Sequence, residues 1–204
     1  MTIAFDRSQT GGILQPMSLE EYLTYDDGTG ARYELVDGVL VEMGAESRCN
    51  IKIALFLIKA FLQVVDYDRL SIKEKIQVNS TFVSAREADL MIHSEASALA
   101  IEGRKESIVL LGEPNPLIAI EIASPGNESS ENYQRDYVQK PAEYAARGIA
   151  EYWIIDPARN WVKIGGLIED EYVFTDFTGS MSLISPTFPT LRLTAADVLE
   201  AGRS

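Results

Sequence analysis

Glu121 stands inside the run LIAIEIASP, which is otherwise apolar up to Ser124. A carboxylate in an apolar strand is costly unless it is paired or holds a metal. It falls near the C-terminal end of its run, where α/β sheets present reactive groups to a crevice. Asp89 in READLMI and Glu34 in RYELVDG are further acids in strand-like settings. Three carboxylates on three such segments are able to converge on one cation. Each also has an ordinary reading: Asp89 as the start of a strand, Glu34 as an exposed hairpin position, and Glu121, the hardest to dismiss, as a paired buried acid. In RDYVQKPAEYAARG, Asp136, Lys140 and Tyr144 are four apart, so a continuous helix puts them on one face. The ordinary reading there is a surface ion pair over an aromatic ring. Pro141 either kinks this helix or starts a new segment, and either outcome fixes the direction of Lys140.

The elements that position these residues are set by pattern. Ser18 and Glu21 have capping-box spacing, so a helix begins at Ser18 and stops near the glycines at 28 and 30. Asp37-Gly38 between two short apolar runs predicts a hairpin with a tight turn. Residues 50–67 form the clearest amphipathic helix: Ile51, Ala54, Leu55, Ile58, Phe61, Leu62 and Val65 make one face, and Arg48, Lys52, Lys59 and Gln63 a solvated basic stripe. Strands are expected at 71–79, 86–93 and 117–123, the last buried on both faces. A polar, partly helical connection spans 94–116. A helix comes next over 130–147, closed by Gly148, and then the strand AEYWIID, stopped by Asp156-Pro157. A trailing meander over 161–165, 171–176 and 181–184 and a last short helix capped by Thr194 complete the chain. Helices interleaved with strands make this an α/β protein with a central mixed sheet flanked by helices, an N-terminal helix and hairpin, and a C-terminal β meander.

The 204 residues suit one domain over 17–204, preceded by a flexible arm over 1–16. One cysteine, Cys49, allows no internal disulfide. With no secretory leader and no apolar run of spanning length, the expectation is a cytoplasmic protein that does not enter a membrane. Eighteen basic against 31 acidic residues give a net charge of −13, which counts against a broad polyanion-binding face but suits a site that gathers divalent cations.

The pieces YELVDG (33–38), READ (86–89), EIASP (121–125), RDYVQKPAEYAARGI (135–149) and EYWIIDP (151–157) resemble, in order, the Uma family of restriction endonucleases. That family is a branch of the PD-(D/E)xK, restriction-endonuclease-like nuclease superfamily, and the resemblance covers about residues 17–200. It implies a nuclease core with Asp89 and Glu121 as central metal ligands and Glu34 as an auxiliary acid. The superfamily's lysine two positions after the glutamate is here Ala123, and the family pattern points to Lys140 instead. Many relatives carry a histidine at the start of the long helix. This chain reads ESRCN there, leaving Arg48 or Asn50 in that neighbourhood. His93, the one histidine, reads as a strand-end residue.

The chemistry this resemblance implies is metal-assisted hydrolysis of nucleic-acid phosphodiesters, with DNA the expected substrate and Mg²⁺ or Mn²⁺ held by Asp89 and Glu121. Lys140 would stabilise developing negative charge, and Gln77 would help to position a water or phosphate. The rival reading is a non-catalytic binding or regulatory module on the same fold, and a third is a metal-dependent enzyme with another substrate. A homodimer is compatible with either, symmetric dimers being the commonest oligomers.

Overall fold

The computed structural model describes residues 15–203, so most of the expected N-terminal arm lies outside the described residues. Helix α1 (Leu19–Leu23) opens with the capping box: Ser18 Oγ accepts from the Glu21 N–H at 3.2 Å, and Glu21 accepts from the Ser18 N–H at 2.8 Å. It ends at Leu23, well before Gly28, because the polar run after Tyr25 has no apolar face to bury. Strands β1 (Arg32–Val36) and β2 (Val39–Met43) form the hairpin. Asp37 and Gly38 both have positive φ, 50° and 81°, as a primed turn requires. A Cβ on Gly38 would lie 2.3 Å from the Pro16 Cβ, so glycine also admits a close backbone approach.

Helix α2 (Arg48–Phe61) is followed by β3 (Leu70–Val78), β4 (Ser84–His93), α3 (Glu95–Ile101), β5 (Ile108–Val109) and β6 (Pro116–Ile122). A continuous helical rod then runs through α4 (Glu131–Gln134), a π turn over Arg135–Gln139 and α5 (Lys140–Arg147), closed by Gly148 at φ 87°. Strands β7 (Glu151–Asp156), β8 (Trp161–Ile168) and β9 (Glu171–Phe177) and helix α6 (Ala195–Ala201) complete the order. The expected strand at 181–184 is reduced to a single bridge, Ser182 to Thr194. No described helix is long and apolar enough to cross a membrane.

All nine strands among the described residues join one mixed sheet, with β6 and β7 parallel at its centre and β2-β1-β4-β6-β7-β8-β9 as its main path. Alternation along β6 divides its residues between two layers. Ile118, Ile120 and Ile122 pack with Trp153 and Ile155 beneath α2 and α6. Ala119 and Ala123 pack with Tyr144, Tyr152 and Ile154 on the α5 side. Glu121 shares the parity of Ala119 and Ala123, which directs it to α5.

The buried face of α2 differs from the sequence reading. Ile53, Leu57 and Phe61, spaced four apart, are fully buried against the sheet, whereas Ile51, Leu55 and Leu62 are 47%, 61% and 42% exposed. Apolar residues surround much of this helix, and only contact with the sheet selects which stripe is covered. Arg48 and Lys59 are exposed, as a solvated stripe should be.

Candidate active site

The site grows from a fork in the sheet. On one edge of β4, β1 pairs at Ala85 and β6 pairs from Leu90 to His93. Between them, 86–89 face the gap where β1 and β6 diverge. Buried backbone groups in such a gap need other partners. Glu34, from β1, accepts the Glu87 N–H at 3.0 Å. Lys140, from the start of α5, donates to the Glu87 carbonyl at 2.8 Å. Asp89 accepts the Ile122 N–H at 2.6 Å, tying β4 to the end of β6. The Ile122 carbonyl accepts in turn from Asn50 Nδ2 at 3.0 Å. Four side chains thus replace the ladder the fork lacks.

Three of those side chains, Glu34, Lys140 and Asp89, also form ion pairs. Lys140 Nζ lies 3.0 Å from Glu34 Oε1 and 2.9 Å from Glu121 Oε2. With the Glu87 carbonyl, these contacts use all three of its donors. Tyr144, one turn on, donates to Glu121 Oε1 at 3.4 Å. The π turn sets this alignment. Pro141 has no N–H to offer the carbonyl four residues back, and the Lys140 N–H bonds to Arg135, five residues back. Asp136 pairs with the neighbouring Arg135 at 2.9 Å, so the ion-pair partners of Lys140 come from the sheet and not from its own helix.

The charge states are set by burial and neighbours. Burial alone would raise the Glu34 carboxyl. Lys140, Arg86 at 3.2 Å and the Glu87 N–H outweigh that and hold it down at about 2. Glu121 goes the other way: burial and the nearby Asp89 and Asp136 carboxylates push it well above the usual range despite Lys140. Asp136 is raised chiefly by burial, and the Asp89 charge adds to this. The pair Lys140–Glu121 is therefore set among acids that oppose the ionisation of Glu121.

Asp89, Glu121 and Lys140 line one cleft of about 50 Å³ with Asp136, Arg135, Glu87 and Ser124 and, at its more exposed side, Arg32, Glu46 and Lys73. Glu34 lies behind it, fully buried, and reaches it through Lys140. Five carboxylates against four cationic side chains line the cleft. Among the described residues no three acids, histidines or cysteines form a ready metal cage. Two carboxylates beside a space that admits a few waters nonetheless fit Mg²⁺ or Mn²⁺, which take few protein oxygens and keep several waters. That excess of one carboxylate in the lining is what a divalent ion would relieve.

Several site residues carry no signal in the sequence. Lys73 has φ 53° in the middle of β3, and its ammonium contacts Asp89 and, at 2.5 Å, Glu46. Glu46 comes after the hairpin in a loop, and Asp136 and Glu87 read as ordinary surface acids. A lysine at a polar position of a strand suggests solvent, not a carboxylate. His93 is buried between Ser71, Ser97 and Glu74, a structural role at the strand end. Gln77 sits outside the cleft, its amide oxygen accepting from the Leu111 N–H at 3.1 Å. Arg48 is exposed, and buried Asn50 takes the place on α2 nearest the site.

A mixed sheet flanked by helices is forked around an acid–lysine cluster, and this α/β architecture is shared with a solved structure. A structure described as a putative nuclease belonging to DUF820, from Anabaena variabilis, superposes with a TM-score of 0.69 at 19% identity, covering 92% of this chain and 99% of that one. No curated protein matches the chain. The Uma2 family, described as "Putative restriction endonuclease", matches residues 19–196, and the chain belongs to it.

Proposed function

We propose that this protein is a divalent-metal-dependent endonuclease that hydrolyses phosphodiester bonds in nucleic acid, with DNA as the favoured substrate. The observation that carries the reading is the convergence of Asp89, Glu121 and Lys140 on one cleft, in a chain of this family. Asp89 and Glu121 are the residues that would hold Mg²⁺ or Mn²⁺. Such an ion supplies charge stabilisation at the phosphoryl group and a more acidic water. Glu34 acts at one remove, holding Lys140 charged and in place from behind. Lys140 neutralises Glu121 at rest. With Glu121 engaged by a bound cation, one Lys140 donor would be free to face the reacting phosphate, where negative charge grows in the transition state. The proposed place of action is the cytoplasm, and a homodimer would present two such clefts to a duplex.

One observation favours a second reading, a binding or regulatory module without turnover: every Lys140 donor is already engaged. Cleavage of a panel of single- and double-stranded DNA and RNA with Mg²⁺ or Mn²⁺ separates the two. Wild-type cleavage that Asp89→Ala abolishes is the expected result. Metal binding without cleavage of any substrate would overturn the nuclease reading in favour of the module.

A further inference from the structure

Residues 70–78 of β3 and 84–93 of β4 pair antiparallel along their length, yet side-chain alternation changes phase in the middle. Ala88 packs in the layer beside α5, whereas Leu90 and Ile92, of the same parity, pack beneath α2. In β3, Ile76 and Val78 belong to the α5 layer, while Ile72 lines an open groove with Ile51, Leu55 and Ile58 of α2. The change of phase falls between Ile72 and Glu74 in β3 and between Ala88 and Leu90 in β4. Lys73 and Asp89 therefore occupy the break. Lys73 takes it up with a left-handed φ of 53°, a conformation that favours glycine over a long side chain. A lysine there delivers an ammonium to Asp89 and Glu46, which no glycine could do.

The two lysines of the cleft differ in what they can give up. Lys140 is buried, with three partners. The Lys73 side chain is 31% exposed, its partners are the Asp89 and Glu46 carboxylates, and it borders both the cleft and the apolar groove. Asp89 is thus already occupied by a cation, and that cation is tethered and in reach of water.

Taking the proposed metal site as its basis, we propose that Lys73 is a displaceable internal counter-cation: it occupies Asp89 in the ion-free protein, and a divalent ion binds by exchange with its ammonium. An incoming ion must break the Lys73–Asp89 contact and then sit close to a like charge, both of which weaken its binding. Glu46 remains a partner for the displaced ammonium, so exchange does not strand the lysine.

The test is Mn²⁺ binding by calorimetry to wild type, Lys73→Gln, Lys73→Gly and Asp89→Ala, with the Mn²⁺-induced change in Tm as a second readout. Lys73→Gly suits the left-handed backbone, so a failure of Lys73→Gln to fold leaves the question answerable. The expected result is Mn²⁺ binding at least about tenfold tighter in both Lys73 variants, a larger Mn²⁺-induced rise in Tm, and loss of binding in Asp89→Ala. Equal or weaker binding in the Lys73 variants, still abolished by Asp89→Ala, overturns the exchange and leaves the metal site standing. Absence of binding in every protein overturns both.

Discussion

Glu34→Gln removes one negative charge from the buried end of the network while keeping shape and a hydrogen-bonding oxygen. In the wild type the carboxyl is held at about 2 against an ordinary 4.5, by Lys140, Arg86 and the Glu87 N–H, against the opposing effect of burial. A depression of that size corresponds to about 3 kcal/mol of folding stability at neutral pH. The same figure falls within the roughly 3–5 kcal/mol typical of breaking a buried ion pair from one side. The sign is fixed by the direction of the shift: the folded pKa is below the unfolded one, so the contribution is complete above about 4.5 and is lost as pH falls toward about 2. At pH 3 it should have fallen to less than half of its value at neutral pH. Urea unfolding of wild type and Glu34→Gln at pH 7 and pH 3 measures the difference directly, with Tm as a check. A gap under about 1 kcal/mol at pH 7, or one that does not shrink at pH 3, would refute the assignment of Glu34 as the charged anchor of Lys140.

Lys140→Met should reduce the cleavage rate at saturating metal far more than it reduces Mn²⁺ affinity, measured by single-turnover kinetics beside calorimetry; wild-type cleavage would remove Lys140 from the chemistry. Leu57→Ala, in the fully buried stripe of α2, should cost about 2–5 kcal/mol in chemical denaturation, and Leu55→Ala on the exposed stripe less than about 1 kcal/mol. Neutralising Arg48, Lys52 and Lys59 together should leave the salt dependence of DNA binding nearly unchanged. A slope shallower by two or more units in a binding titration would put that stripe on the phosphate backbone.

The elements were legible where local physics decides them. Ser18 with Glu21, Asp37 with Gly38, and Gly148 after a helical run each carry their structure in two or three residues. Glu121 announced itself because an acid in an apolar strand is rare and needs a reason. The face of α2 was not legible: Ile51 and Leu55 are as apolar as Ile53 and Leu57, and only the position of the sheet distinguishes them. Nor was Lys73, whose importance comes from a φ of 53° and from Asp89 across the strand pair, neither of which leaves a local trace. The wide turn before Lys140 was foreshadowed by Pro141, but its consequence, pairing with the sheet and not with Asp136, depends on tertiary packing.

The fork in β4 bears on how this family can change over time. Glu34, Asp89 and Lys140 satisfy the backbone that the diverging strands leave open, so a descendant that lost its substrate could not shed them without exposing orphaned amides in its core. Retention of these three residues in a relative therefore reports an intact fold as much as turnover. Lys73 and Glu46 bind no backbone at the fork, so this constraint does not hold them. Divergence should then register first at the more exposed side of the cleft, and a living enzyme should be told from a silent one by the outer charges rather than by the inner ones.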